Sequence, residues 1–115
     1  MTQESIASAC KGQIIISAPL GTILNAGYTS DMLSDVMANA PEDSVLVTIQ
    51  NHINTIAVST LAGIKLIVVC HKRPIPEDMR KIAENEAVGI ISTPYSQFEA
   101  SCAIGHLISA ESSAS

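Results

Sequence analysis

Aromatic side chains are scarce in this chain of 115 residues, with one Phe, two Tyr and no Trp. That excludes base-stacking platforms and the ring faces that hold sugars. Positive charge is also sparse. Six Lys and Arg face eleven Asp and Glu, a formal net charge of −5, and the basic residues form no cluster larger than a pair, Lys72 and Arg73 being the pair in an expected loop. A sequence-independent grip on nucleic acid phosphates or on anionic lipid is therefore not expected, and neither nucleic acid nor membrane is a predicted partner. No apolar run approaches the roughly 20 residues that span a bilayer. Residues 1–8 lack the basic and apolar regions of a secretory signal, so a cytoplasmic location is the expectation. Cysteine is limited to Cys10, Cys70 and Cys102, with no C-x-x-C pair. This argues against a disulfide framework and a zinc or iron–sulfur site, and predicts buried, inert thiols. No Walker loop, G-x-G-x-x-G, G-x-S-x-G or H-E-x-x-H is present, and no cofactor is indicated.

What remains is aliphatic: 47% of residues are hydrophobic and 15% charged. One domain of this length buries roughly 65% of the surface of its unfolded chain and needs no metal or disulfide to fold. A short helix is expected over residues 2–9, a β-branched strand over 13–16 and a second extended segment over 23–28. Met32, Leu33, Val36, Met37 and Ala40 then recur at helical spacing, with Asp31 in the first turn. Residues 44–50 read as a strand, and Ile53, Ile56, Ala57, Thr60 and Leu61 share one helix face that Gly63 can end in the left-handed conformation. A nearly all-apolar strand over 64–70, interrupted by Lys65, precedes a helix with Pro76 at its first position and Glu77 and Asp78 behind it. A strand over 88–92 leads to a helix over 96–108, with Phe98, Cys102, Ala103 and Leu107 inward and a capping box between Ser96 and Glu99. Strand and helix alternate through short connections, which predicts an α/β fold: a mainly parallel sheet flanked by helices, with the N-terminal strands as antiparallel edges. The expected organisation is an N-terminal segment over 1–11, one domain over 12–108 and a disordered tail over 109–115.

In open parallel sheets, ligands sit outside the carboxyl ends of the strands. The three loops expected there are polar. They supply Gln50, Asn51, His52 and Asn54; then His71, Lys72 and Arg73; then Ser92, Thr93, Tyr95 and Ser96. Each precedes a helix whose free N–H groups favour an anion, and Lys72 and Arg73 add charge. Capping accounts equally well for Asn51, Asn54 and Ser96, whereas histidine is not a preferred cap. Asp31 and Asp35 stand four residues apart, a spacing that suits shared acid–base work, a metal, or simple capping and solvation. Cys102 and His106 have the same spacing, but two ligands do not complete a tetrahedral set.

Three runs, AGYTSDMLSDVMA over 26–38, VTIQNHINTIAV over 47–58 and STPYSQFEA over 92–100, resemble the DRTGG domain family, most closely its stand-alone, single-domain branch. The resemblance spans about residues 12–108. It implies a regulatory or ligand-sensing α/β module similar to the amino-terminal domain of HPr kinases, and a homodimer. Relatives accompany phosphotransacetylases, CBS-containing pyrophosphatases and transcription factors, and stand-alone members are often encoded near iron-only hydrogenase genes in anaerobes. The chain departs from the residues that name the family. Asn51 and His52 stand where multidomain relatives carry an acid and an arginine, and residues around Cys70, His71, Lys72 and Arg73 replace Thr-Gly-Gly.

Three functions compete. The favoured one is a non-catalytic homodimeric module that senses a small anionic metabolite, with adenine nucleotides among the candidates. The second is an interaction or assembly factor for a hydrogenase or other redox complex. The third is a small enzyme using His52 with Asp31 or Asp35 as acid–base groups.

Overall fold

The segment Ser44–Thr48, SVLVT, is buried at all five positions, as a central strand covered by helices on both faces must be. In the computed structural model, which describes residues 1–114, this strand is β3 of a five-stranded sheet ordered β1-β5-β4-β3-β2. The others are β1 (Gln13–Ile16), β2 (Ala26–Thr29), β4 (Leu66–Val69) and β5 (Gly89–Ser92). The helices are α1 (Gln3–Ala9), α2 (Leu33–Asn39), α3 (Ile53–Ala62), α4 (Glu77–Glu86) and α5 (Gln97–Ala114).

Alternation along the strands divides the core in two. Val45, Val47, Leu66, Val68 and Ile91 face α1 and α5, packing with Ile6, Ala100 and Ile104. Leu46, Ile67, Val69 and Ile90 face the other way, onto Val36 of α2, Ile56 of α3 and Met79 and Ala83 of α4. The result is a three-layer sandwich with α2, α3 and α4 on one face and α1 and α5 on the other.

The expected α/β fold and its parallel core are present: β2, β3, β4 and β5 are mutually parallel in register. Only one N-terminal strand is an antiparallel edge. Gln13 of β1 pairs with Ser92 of β5, whereas β2 lies parallel to β3 because α2 returns the chain across the sheet. Four further expectations are corrected. Helix α2 begins at Leu33, so Asp31 precedes it. Pro76 is the N-cap of α4, not its first helical residue. Phe98 and Cys102 face outward, Phe98 at 78% exposure, because the stripe of α5 that packs on the sheet is Ala100 and Ile104. Finally, α5 does not give way to a tail at residue 109 but continues to Ala114; on its added turns Glu111 pairs with the Met1 ammonium at 3.2 Å. Ser115 lies outside the described residues. No helix among the described residues is long and apolar enough to cross a membrane.

Candidate functional site

Because β2 to β5 are parallel, the loops after β3, β4 and β5 open at one edge of the sheet, and hydrogen bonds brace them to one another. Asn51 donates from Nδ2 to the Pro74 carbonyl at 2.8 Å, and its Oδ1 accepts from Arg73 at 3.3 Å. The His71 and Lys72 amides donate to the carbonyls of Tyr95 (2.9 Å) and Thr93 (2.8 Å). His71 and Lys72 are both left-handed, with φ of 59° and 51°. The turn therefore takes a shape that glycine adopts freely, at a cost of roughly 1 kcal/mol for each side chain held there.

Asp31 ties the other end of the rim. Its Oδ1 accepts from Thr48 Oγ1 (3.0 Å), the Ile49 amide (2.9 Å) and Gln97 Nε2 (2.9 Å), while its carbonyl accepts from Gln50 Nε2 (2.7 Å). Burial pushes the Asp31 carboxyl up, but the bonds from Ile49, Gln97 and Thr48, with the charge of Arg73, outweigh it and hold the group below the usual carboxylate range. Asp35 works apart from Asp31. It accepts from the Tyr28 hydroxyl at 2.8 Å and from Asn39 at 2.9 Å, which draws its own carboxyl down, Tyr28 contributing most. The two carboxylates do not form a pair.

His52 is, against expectation, the N-cap of α3. Its Nδ1 accepts from the Asn54 amide at 3.3 Å, so the ring proton belongs on Nε2, which meets Gln50 Oε1 at 3.2 Å. Gln50 thus stands between His52 and Asp31, which share no direct bond. Thr93 is fully buried, its hydroxyl donating to the Cys10 carbonyl at 2.6 Å and accepting from the Tyr95 amide at 3.1 Å; it holds two turns together and does not face solvent. Ser96 and Glu99 form the expected capping box, each side chain accepting from the other's amide at 3.1 and 3.0 Å. Hydrogen bonding from the Ser96 amide, and then from its side chain, holds the Glu99 carboxyl low. Asn54, His71, Lys72 and Arg73 are exposed, Gln50, Asn51, Ser92, Tyr95 and Ser96 half-buried.

Sequence reading missed one stretch. Antiparallel pairing of β1 with β5 brings Lys11, Gly12 and Gln13 to the same edge, beside Lys72, Ser92 and Pro94, around a hollow of about 270 Å³. Gly12 makes the approach feasible: a Cβ there would lie 2.7 Å from Ile91 Cγ2 and 3.0 Å from the Ser92 carbonyl oxygen. The signal was Lys11-Gly12 just before a β-branched run, which reads as a helix break until the edge pairing is known. No group of three metal-ligating side chains occurs among the described residues.

The regulatory region of an enzyme shares this architecture. Over 90% of this chain and 45% of the other, at 13% identity and a TM-score of 0.68, the fold matches the CBS and DRTGG domains of the regulatory region of Clostridium perfringens pyrophosphatase, a structure containing its activator diadenosine tetraphosphate. The chain spans less than half the length of that neighbour, and the likeness establishes a DRTGG-like fold. No family model matches the sequence, and no curated protein does.

Proposed function

We propose that this chain is a cytoplasmic, non-catalytic regulatory module that binds a small anionic metabolite at the carboxyl edge of its sheet, adenine nucleotides being the first to test, and that it works as a homodimer. The observation that carries the reading is the bracing of three polar loops into one rim by the Asn51–Pro74, His71–Tyr95 and Lys72–Thr93 bonds, with cations on an otherwise acidic protein. The rim residues Gln50, Asn51, His52, Asn54, His71, Lys72, Arg73, Ser92, Tyr95 and Ser96 are its candidate surface, with Thr93 as a support beneath it. The regulatory character of a neighbour that takes a nucleotide activator favours the same reading. Thermal denaturation with AMP, ADP, ATP, phosphate and pyrophosphate tests it. A ligand at about 100 times its Kd stabilises by roughly 2.7 kcal/mol, a rise of about 10 °C in Tm for a domain of this size. A folded protein that shifts with none of these is not such a sensor. In sedimentation the mass should be twice 12.1 kDa.

A second reading, docking to a hydrogenase or other redox enzyme, is favoured by Met32 and Phe98. They neighbour the two members of the Asp31–Gln97 bond and stand 65% and 78% exposed. Loss of binding to a purified iron-only hydrogenase on Phe98→Ser, with the fold intact, supports it; no binding by the wild type removes it.

A further inference from the structure

Connections leaving the strands decide where a crevice can open at the edge of an open sheet. Helices α2, α3 and α4 all return on one face, whereas α5, which follows β5, packs on the other. The chain therefore leaves the carboxyl ends of β4 and β5 toward opposite faces. That divergence makes a topological switch point, the position where ligands settle in open α/β sheets. Between β3 and β4, where Asn51 and His52 lie, both connections turn the same way and no crevice is expected.

The hollow formed by Lys11, Gly12, Gln13, Lys72, Ser92 and Pro94 lies beside this divergence. Its two lysines come from turns 61 positions apart in sequence, and Thr93 fixes both. The Thr93 carbonyl accepts from the Lys72 amide, and its hydroxyl donates to the carbonyl of Cys10, which precedes Lys11. Both lysines are left-handed, with φ of 49° and 51°, and among the described residues neither makes an ion pair. Arg73 is differently placed, bonded to Asn51 and near enough to Asp31 to lower its carboxyl. A comparable hollow of about 280 Å³ at the opposite end of the sheet has Glu86 in its wall and a lysine, Lys65, already paired with Asp43 at 3.3 Å. An anion is better served by the first.

The geometry points to the Lys11–Lys72 hollow as the ligand seat of the module: a site for one phosphate or carboxylate group between two ammonium groups, with Pro94 and the lysine stems against an apolar body no larger than a mononucleotide. This rests on the sensing function proposed above and narrows it to a position that includes Lys11 and leaves out His52. Pockets for drug-sized ligands begin near 300 Å³, so a dinucleotide does not fit within this hollow.

Calorimetric titration of the full chain with AMP, with adenosine as the uncharged control, tests the seat. AMP should bind and adenosine should not. Lys11→Gln and Lys72→Gln should each weaken AMP by about tenfold or more, the loss of a charge-assisted contact, while Lys81→Gln leaves it unchanged. Lys11→Gly, which frees the left-handed backbone while removing the ammonium, should weaken AMP as Lys11→Gln does, and Lys11→Arg should restore it. If AMP binding survives both lysine variants but falls with His52→Ala or Arg73→Ala, the seat is overturned and the sensing function stands. If AMP, ADP, ATP, phosphate and pyrophosphate all fail to bind the folded wild type, both are overturned.

Discussion

Gln97 Nε2 donates to Asp31 Oδ1 at 2.9 Å, joining the start of α5 to the loop before α2 across 66 positions of sequence. The same oxygen takes the Thr48 hydroxyl and the Ile49 amide, so one carboxylate gathers the end of β3, the α2 entry and the α5 entry.

Removing that acceptor should therefore cost more than an average surface substitution. Asp31→Ala leaves three donors without a partner, and a loss of about 2–3 kcal/mol is expected, read as a fall of roughly 10 °C in Tm. Asp31→Asn keeps an oxygen in place and should cost about 1 kcal/mol. The pH dependence follows from the direction of the shift. The folded carboxyl lies below its unfolded value of about 3.9, so its contribution is present above that pH and is lost as pH falls through the folded value. The wild type and Asp31→Asn curves should converge below about pH 4. A constant gap between them at every pH would show that the charge of Asp31 does not stabilise the fold.

Two helices end in the left-handed conformation with opposite residue choices. At the C-cap of α3 stands Gly63, φ 75°; at the C-cap of α4 stands Ala87, φ 58°. Ala87 is exposed and makes its capping bonds through backbone alone, so Ala87→Gly should raise stability by about 0.5–1 kcal/mol. Gly63→Ala should lower it by about 1 kcal/mol or more, because the added Cβ meets Glu42 Cγ at 3.0 Å as well as the unfavourable φ. Chemical denaturation of the two variants measures both, and shifts of equal sign would contradict the account.

The legible parts of this fold are those where local pattern and burial coincide. Val45, Val47, Leu66 and Val68 lie in strands covered on both faces, so continuous apolar runs mark them however the sheet is ordered. Gly63 and the Ser96–Glu99 box depend only on neighbours within four residues and were equally readable. What needed the tertiary structure was the facing of α5. Its apolar positions are spread around the helix, so Phe98 and Cys102 look as inward as Ala100 and Ile104 do; contact with the sheet alone decides among them. His52 as a cap depends on Gln50 holding its Nε2, and Lys11 joins the rim only through pairing of β1 with β5. Thr93 read as a loop hydroxyl because nothing local tells that Cys10 lies beneath it.

The facing of α5 separates the three thiols chemically. Cys10 and Cys70 are fully buried; burial pushes the Cys10 thiol up, and for Cys70 burial, with the nearby Cys10 and Asp31, raises it to about 12. Neither forms a thiolate readily near neutral pH, and no reagent reaches either without opening the core. Cys102 is exposed on the outer face of α5. In native buffer at pH 8, Ellman's reagent should titrate Cys102 fast and the other two of the three thiols only as the protein unfolds. Cys102→Ser should abolish the fast phase while leaving the melting temperature within about 2 °C, since an exposed position away from caps and buried networks contributes little to stability. A fast phase that survives Cys102→Ser would mean that Cys10 or Cys70 opens to solvent in the native state, and the packing of β4 or of the α1 C-cap against α5 would then be looser than their full burial implies.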